Sequence, residues 1–312
     1  MARVVFFGSP DFAVPSLVDL ESTAYKPFLV FTQPDRPAGR GKRPMATPVR
    51  RAAEERGLTV NVVESFRTEE VRERLMSLDA DFFVVVAFGL IFPPSLLRIA
   101  RKGNINLHAS LLPAYRGASP VNAAILHGDA FTGVTTMEMA ARLDAGPIYL
   151  QRVVPVDSLE NAGELSVRLA DLGAALLLET LKRIDAGGCT PAPQPEEGVS
   201  TAPRLSKRDG LVPWMRDAIE VHDHIRGMNP WPGSFTYYRG NYIKIHRAVP
   251  HDLVPGNAPP GTILDPGPGG VIVACGKGTV SLLRLQSEGR RPLDAGEFIR
   301  GCALERGTVL GE

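Results

Sequence analysis

In the first half of the chain, apolar positions fall in short unbroken runs. These alternate with stretches whose apolar residues recur at helical spacing. Residues 4–7, 28–31, 59–63 and 82–87 read as strands rich in valine and phenylalanine, and 11–20, 47–56 and 68–78 read as helices between them. Strands without a polar face suit a sheet covered on both sides, so a mostly parallel sheet is expected. Residues 133–139 and 148–156 add two more strands. A long helix over 161–183 follows, carrying a stripe of Leu165, Leu169, Leu172 and Leu176 and opening on a capping box of Asn161 with Glu164. From 185 to 200 the pattern dissolves into Gly, Pro, Glu and Thr, the composition of a linker. Beyond it a helical pattern ends at Asn229-Pro-Trp-Pro-Gly233, a stretch expected to be structural. Five short strands then follow over 234–285, and a turn and short helix over 288–301 close the segment. The expected architecture is α/β: a Rossmann-like, mostly parallel sheet domain at 1–188, a linker at 189–208, and a small OB-like β-barrel domain at 209–312.

Within this frame one stretch carries chemistry. In Asn104-Ile-Asn-Leu-His-Ala-Ser-Leu-Leu-Pro113, the residues Asn106, His108 and Ser110 are two apart. On an extended segment they share a face, while Ile105, Leu107 and Ala109 face the other way. An amide, an imidazole and a hydroxyl on one strand end can stabilise an oxyanion and move a proton, the two needs of acyl transfer. The same spacing also describes a polar strand end turned to water. Its location favours the first reading, because ligands of such sheets sit outside the carboxyl ends of the strands. The first turn, Gly8-Ser-Pro-Asp-Phe12, lacks the Gly-x-Gly-x-x-Gly spacing, so no dinucleotide is expected there.

Composition narrows the classes further. A chain of 312 residues with 44% hydrophobic and 22% charged residues is an ordinary globular protein, long enough for two domains. Its net charge of +1 gives no global pull toward nucleic acid or membrane. Locally, though, the proline- and glycine-rich loop 32–48 sets Arg36, Arg40, Lys42 and Arg43 against Asp35 alone, a net +3, and Arg50 and Arg51 extend this to +5. This run is either a solvated surface or a contact for a phosphate backbone. Arg204, Lys207 and Arg208 form a second, smaller basic cluster. Three scattered cysteines without metal-ligand spacing argue against a disulfide framework or zinc site and suit a reducing cytoplasm. No stretch has the length of a membrane span, and the opening apolar run is too short for a secretory signal.

Together these stretches resemble the methionyl-tRNA formyltransferases of the folate-dependent formyltransferase superfamily. The likeness is carried by FFGSPDFAVPSL, FTQPDRPAGRGKR, VAFGLIFP, NINLHASLLPAYRGASP, TGVTTMEM with LDAGPIY, LSK, NPWPGSF and LQSEGRRPLDAGEFIRG. It covers essentially the whole chain, and the basic loop and C-terminal strands point to the tRNA-directed branch. One departure is Val212-Pro213-Trp214, where that family often has Asp-Trp. The resemblance implies a monomeric cytoplasmic enzyme that transfers a formyl group from 10-formyltetrahydrofolate to the α-amino group of methionyl initiator tRNA, with no metal. It also implies a catalytic trio of Asn106, His108 and Asp144. The folate site would be lined by Phe88, Gly89, Leu90, Ile91 and Phe92 together with Ser110, Leu111, Leu112 and Pro113. The tRNA would be held by Arg36, Arg40, Lys42 and Arg43, with Arg40 leading into the acceptor stem, and by Arg204 and Lys207. Rivals are a formyltransferase acting on an amino sugar nucleotide and, from another class, a tRNA-binding module without activity.

Overall fold

The computed structural model describes residues 2–38 and 43–311. In chain order its elements begin with β1 (Val4–Gly8), α1 (Val14–Glu21), β2 (Pro27–Thr32), β3 (Arg36–Ala38), β4 (Arg43–Met45), α2 (Pro48–Glu55), β5 (Val60–Val62), α3 (Glu69–Met76), β6 (Phe82–Val86) and β7 (Gly103–His108). They continue through β8 (Arg116–Gly117), α4 (Pro120–Leu126), β9 (Phe131–Glu138), β10 (Ile148–Pro155), α5 (Ala162–Asp185) and β11 (Thr201–Ala202). The chain ends with α6 (Ala218–Gly227), β12 (Ser234–Tyr238), β13 (Asn241–His251), β14 (Ile263–Gly267), β15 (Gly270–Ala274), β16 (Thr279–Ser287), β17 (Leu293–Asp294) and α7 (Ala295–Gly301).

Two compact units emerge. The first comprises Met1–Gly117, Thr132–Val154 and Ser166–Thr201. Its seven-stranded sheet runs β10-β9-β7-β6-β1-β2-β5. The pairs from β5 through β7 are parallel, and β9 is antiparallel to β7. Every residue of β1 and β6 is buried, as the unbroken apolar runs require. On one side Phe7 stacks on Phe31 at 5.0 Å between ring centroids and meets Phe83, Phe88 and Phe92 within 5.5 Å. On β7, Leu107 packs against Gly173 of α5, where a Cβ would lie 2.7 Å from the leucine methyl, so the close approach of helix and strand depends on glycine. This contact anchors the apolar side of β7 and turns Asn106 and His108 to the other side.

The second unit comprises Ala118–Phe131, Pro155–Leu165 and Ala202–Glu312. Its antiparallel sheet has the order β12-β13-β16-β15-β14, with β17 paired to β16. A two-residue turn with positive φ at Arg239 and Gly240 joins β12 to β13, which matches the twist of the strands. The tail bridges the two edges of the sheet: Ile263 and Thr308 pair on the β14 side, and the Gly311 N–H reaches the Tyr237 carbonyl on β12. The result is the small β domain expected from the sequence. Helix α6 opens on a capping box of Asp217 and Glu220 and lays Val221 and Ile225 into the core with Ile245, Val273 and Leu282.

The units interleave in sequence, unlike the successive domains expected at 1–188 and 209–312. Residues 118–131 and 155–165 join the second unit because polar contacts tie them to α6. The Asn122 amide donates to the Gly227 carbonyl at 2.7 Å, and the Arg226 guanidinium reaches the Asp157 and Glu160 carbonyls. Residues 189–201, expected as linker, pack as part of the first unit. The compositional shift at 185–200 ends at the Thr201–Ala202 boundary, whereas nothing in composition marks 118–131 and 155–165, which are held by contacts with residues remote in sequence.

Candidate active site

The site is built at the carboxyl end of β7. His108, 6% exposed, faces two acceptors: its Nε2 lies 3.0 Å from the Tyr115 carbonyl and its Nδ1 3.7 Å from the Asp144 carboxylate. A ring protonated on both nitrogens offers a donor to each, whereas a neutral ring serves only one. The same Asp144 oxygen accepts the Gly117 N–H at 2.8 Å, so the carboxylate is fixed from a second side. Tyr115 and Asp144 both have left-handed backbones, with φ of 59° and 50°. For tyrosine this is a costly conformation, of the kind found where surrounding contacts impose it. Here the Ser200 hydroxyl takes the Tyr115 N–H at 2.9 Å. Asn106, half-buried on the same side of β7, makes no side-chain hydrogen bond to another described residue, which leaves its amide donors for a ligand.

The turn carrying Asp144 is shaped by contacts that no local pattern announces. At Gly146 a Cβ would lie 1.7 Å from the Glu138 carbonyl, so only glycine lets the turn close on β9. The Gln194 amide donates to both the Asp144 and Gly146 carbonyls, at 2.8 and 2.7 Å, while its oxygen accepts two bonds from the Arg116 guanidinium. Gln194 and Ser200 lie in the segment whose composition reads as linker. Their only sequence signal is that a polar residue with both donors and an acceptor sits in an otherwise featureless stretch. Gln194→Leu, which removes every one of these bonds, is expected to cost about 1–3 kcal/mol of stability. It should also lower kcat about tenfold while leaving the KM for the larger substrate near that of wild type. Steady-state kinetics with a thermal melt check this; an unchanged kcat would return Gln194 to a purely structural role.

The other expected residues divide. Ser110 is fully buried and donates to the Ala114 carbonyl at 2.6 Å, and Leu112 is buried, with its carbonyl taking the Gln151 amide at 2.8 Å. Leu111 and Pro113 are half-buried. The Phe88 and Phe92 rings are packed in the phenylalanine core and half-buried Leu90 packs against it, so the part of that segment open to a ligand is Gly89 and Ile91, the latter 85% exposed. In the basic loop, β3 and β4 form an antiparallel hairpin in which Pro37 faces Pro44, where irregular loop was expected. Arg36 is exposed and donates to Gln33 at 2.6 Å, and the backbone of Arg43 pairs with Ala38. Arg40 and Lys42 lie outside the described residues. Arg204 and Lys207 are exposed on the second unit.

The family described as formyl transferase matches residues 2–181, and its C-terminal domain matches residues 204–303. A methionyl-tRNA formyltransferase of Citrifermentans bemidjiense is 42% identical over 310 residues, covering 99% of this chain and 96% of that protein. One of Sorangium cellulosum is 43% identical and covers 99% of each. Among solved structures, the N-formyltransferase of Helicobacter canadensis in complex with folinic acid and dTDP-3-aminofucose aligns with a TM-score of 0.68. It shares 18% identity over 92% of this chain and 100% of that one, a likeness of fold.

Proposed function

The chain belongs to the formyl transferase family, and from that premise we propose that it moves the formyl group of 10-formyltetrahydrofolate onto the α-amino group of methionyl initiator tRNA. The observation that carries this reading is the 42–43% identity, through both units, to relatives bearing the name methionyl-tRNA formyltransferase. The site's chemistry supports it. A neutral amine attacking a formyl carbonyl produces a tetrahedral centre with a negative oxygen and a positive nitrogen. Asn106 donates its amide hydrogens to that oxygen, and the His108 Nε2–H, turning from the Tyr115 carbonyl to the oxygen, adds a second donor. Asp144, held by the Gly117 N–H, keeps the imidazole in place and accepts the amine proton through water. Gly89 and Ile91 offer the folate an exposed edge of backbone and aliphatic side chain. On this reading the reaction belongs to the cytoplasm, where translation is initiated. As a separate matter, no helix among the described residues is long and apolar enough to cross a membrane.

On this reading the β3–β4 hairpin contacts the acceptor stem through its cations. Arg36→Ala and Arg40→Ala are each expected to raise the KM for charged tRNA without changing folate affinity. Each should shrink the slope of log affinity against log salt by roughly one unit. An unaltered slope in both variants would make the hairpin a solvated surface. The solved sugar N-formyltransferases share the fold and suggest the rival acceptor. Parallel assays with methionyl initiator tRNA and a dTDP-linked amino sugar decide between them: transfer to the tRNA alone is expected, and transfer to the sugar alone would overturn the assignment.

A further inference from the structure

In the turn that leaves β7, every backbone carbonyl from Ser110 to Tyr115 meets a donor. The Leu111 carbonyl takes the Ala114 N–H at 3.1 Å, and the Pro113 carbonyl takes the Ser200 N–H at 3.4 Å. The Ser110 hydroxyl donates to the Ala114 carbonyl at 2.6 Å, and His108 Nε2 closes on the Tyr115 carbonyl at 3.0 Å. The remaining two are served from the neighbouring strands of the sheet. Thr135 of β9 donates to the Ser110 carbonyl at 2.6 Å, and Gln151 of β10 donates to the Leu112 carbonyl at 2.8 Å.

These two side chains work as one unit. Thr135 lies directly opposite His108 in the β7–β9 ladder and is fully buried. Its hydroxyl hydrogen goes to the Ser110 carbonyl, while its oxygen accepts the Leu112 N–H at 3.2 Å and the Gln151 amide at 3.0 Å. A hydroxyl has one hydrogen and two lone pairs, so Thr135 has no capacity left. The orientation of Gln151 follows from this. One of its partners is a carbonyl, which only accepts, and the other is a hydroxyl whose hydrogen is committed, so the nitrogen end of the amide faces both. Gln151 is exposed on β10, the outer strand of the sheet, where packing gives no reason for a glutamine. Its two bonds to the turn give one.

At the far end of the turn the same constraint reaches the imidazole. His108 Nε2 is within hydrogen-bond distance of the Tyr115 carbonyl, whereas Nδ1 stands 3.7 Å from the Asp144 carboxylate, beyond it. A neutral ring is therefore held with its proton on Nε2, the nitrogen that donates to the developing oxyanion. The Tyr115 carbonyl keeps this place only while its residue stays left-handed, at a φ of 59°, which the surrounding contacts must impose. Resting on the reading of His108 as a donor to the formyl oxygen, we infer that Gln151 is a positioning residue: with Thr135 it fixes the 110–115 turn, and the Tyr115 carbonyl at the end of that turn fixes the tautomer of His108. Without this hold Tyr115 relaxes and the proton moves to Nδ1, toward Asp144. The ring then presents a lone pair to the oxyanion instead of an N–H.

The test records the ring-nitrogen NMR shifts of the full-length enzyme labelled with ¹⁵N-histidine, at about pH 8, above the ordinary histidine range. Among the six histidines, His108 is identified by the signal that His108→Ala removes. Wild type is expected to show the pattern of a ring protonated on Nε2. Gln151→Glu, which has the same size but no donor hydrogens, and Gln151→Leu should each move His108 toward the Nδ1–H pattern. Both should lower kcat about tenfold while the KM for charged tRNA stays near wild type. Thr135→Val, which removes the hydroxyl at constant shape, should act in the same way and add little when combined with Gln151→Leu. Gln151 is exposed enough that its replacement leaves folding intact, and a thermal melt verifies it. A wild-type tautomer pattern in both Gln151 variants overturns the inference, and so does a changed pattern with an unchanged kcat. A wild-type enzyme that moves no formyl group to methionyl initiator tRNA refutes the acceptor reading, while the histidine spectrum still decides the tautomer, so the two failures are distinguishable.

Discussion

His108→Ala is expected to lower kcat for formyl transfer by about 10²–10³-fold, with tRNA affinity close to wild type. The imidazole is buried between the Tyr115 carbonyl and the Asp144 carboxylate, so its removal deletes the Nε2–H donor that can turn to the developing oxyanion and leaves Asp144 without the group it steadies. Asn106→Ala, which removes the amide that has no other described partner, should cost a similar factor. Asp144→Asn keeps the Gly117 contact but loses the proton acceptor, and should also act on kcat. Because the three groups act as one unit, the double variant His108→Ala with Asp144→Asn should fall little further than the worse single variant. Single-turnover rates with saturating charged tRNA provide the comparison. Near-wild-type rates in the Asn106 and His108 variants would remove these residues from the chemistry.

The largest effect on stability is expected at Arg226→Met. Arg226 and Asp223 are each 9% exposed and meet at 2.8 Å, while a second nitrogen of the guanidinium holds the Asp157 and Glu160 carbonyls. Removing the cation leaves a buried carboxylate and two carbonyls short of partners. Breaking such a pair from one side costs about 3–5 kcal/mol, far more than the pair's net worth. Asp223→Asn combined with Arg226→Met should therefore recover part of the loss. Denaturant unfolding of the full chain measures both. If the single variant lost less than about 1 kcal/mol, the attachment of residues 155–165 to the second unit would rest on something other than this network.

What the sequence disclosed follows from what local patterns encode. Unbroken apolar runs such as Phe82–Val86 report burial on both faces, and the leucine spacing of α5 reports a helix with one packed side, so the sheet, its long helix and the later β strands were all legible. The Asn161–Glu164 capping box is present, with the Glu164 N–H on Asn161 at 3.1 Å and the Asn161 N–H on Glu164 at 2.9 Å. The pairing of Asn106 with His108 on one side of β7 was legible too, because period two is a local property. Contacts between distant segments were not. The prolines of β3 and β4 argue against strands, yet in a two-stranded ribbon their missing N–H groups can face outward at little cost. Gln194 and Ser200 stabilise the site through single polar bonds, which leave no periodicity behind. In the Asn229-Pro-Trp-Pro-Gly233 stretch, the structural residue is Asn229, whose amide spans the Ile225 and Ile245 carbonyls, whereas Trp231 stays 56% exposed.

The most direct measurement is single-turnover transfer of labelled formyl from 10-formyltetrahydrofolate, with methionyl initiator tRNA and methionyl elongator tRNA offered separately. Label is expected on the α-amino group of the methionine on the initiator tRNA, with the elongator formylated far more slowly. Label that stays on the folate in the presence of the charged initiator would contradict the assigned reaction.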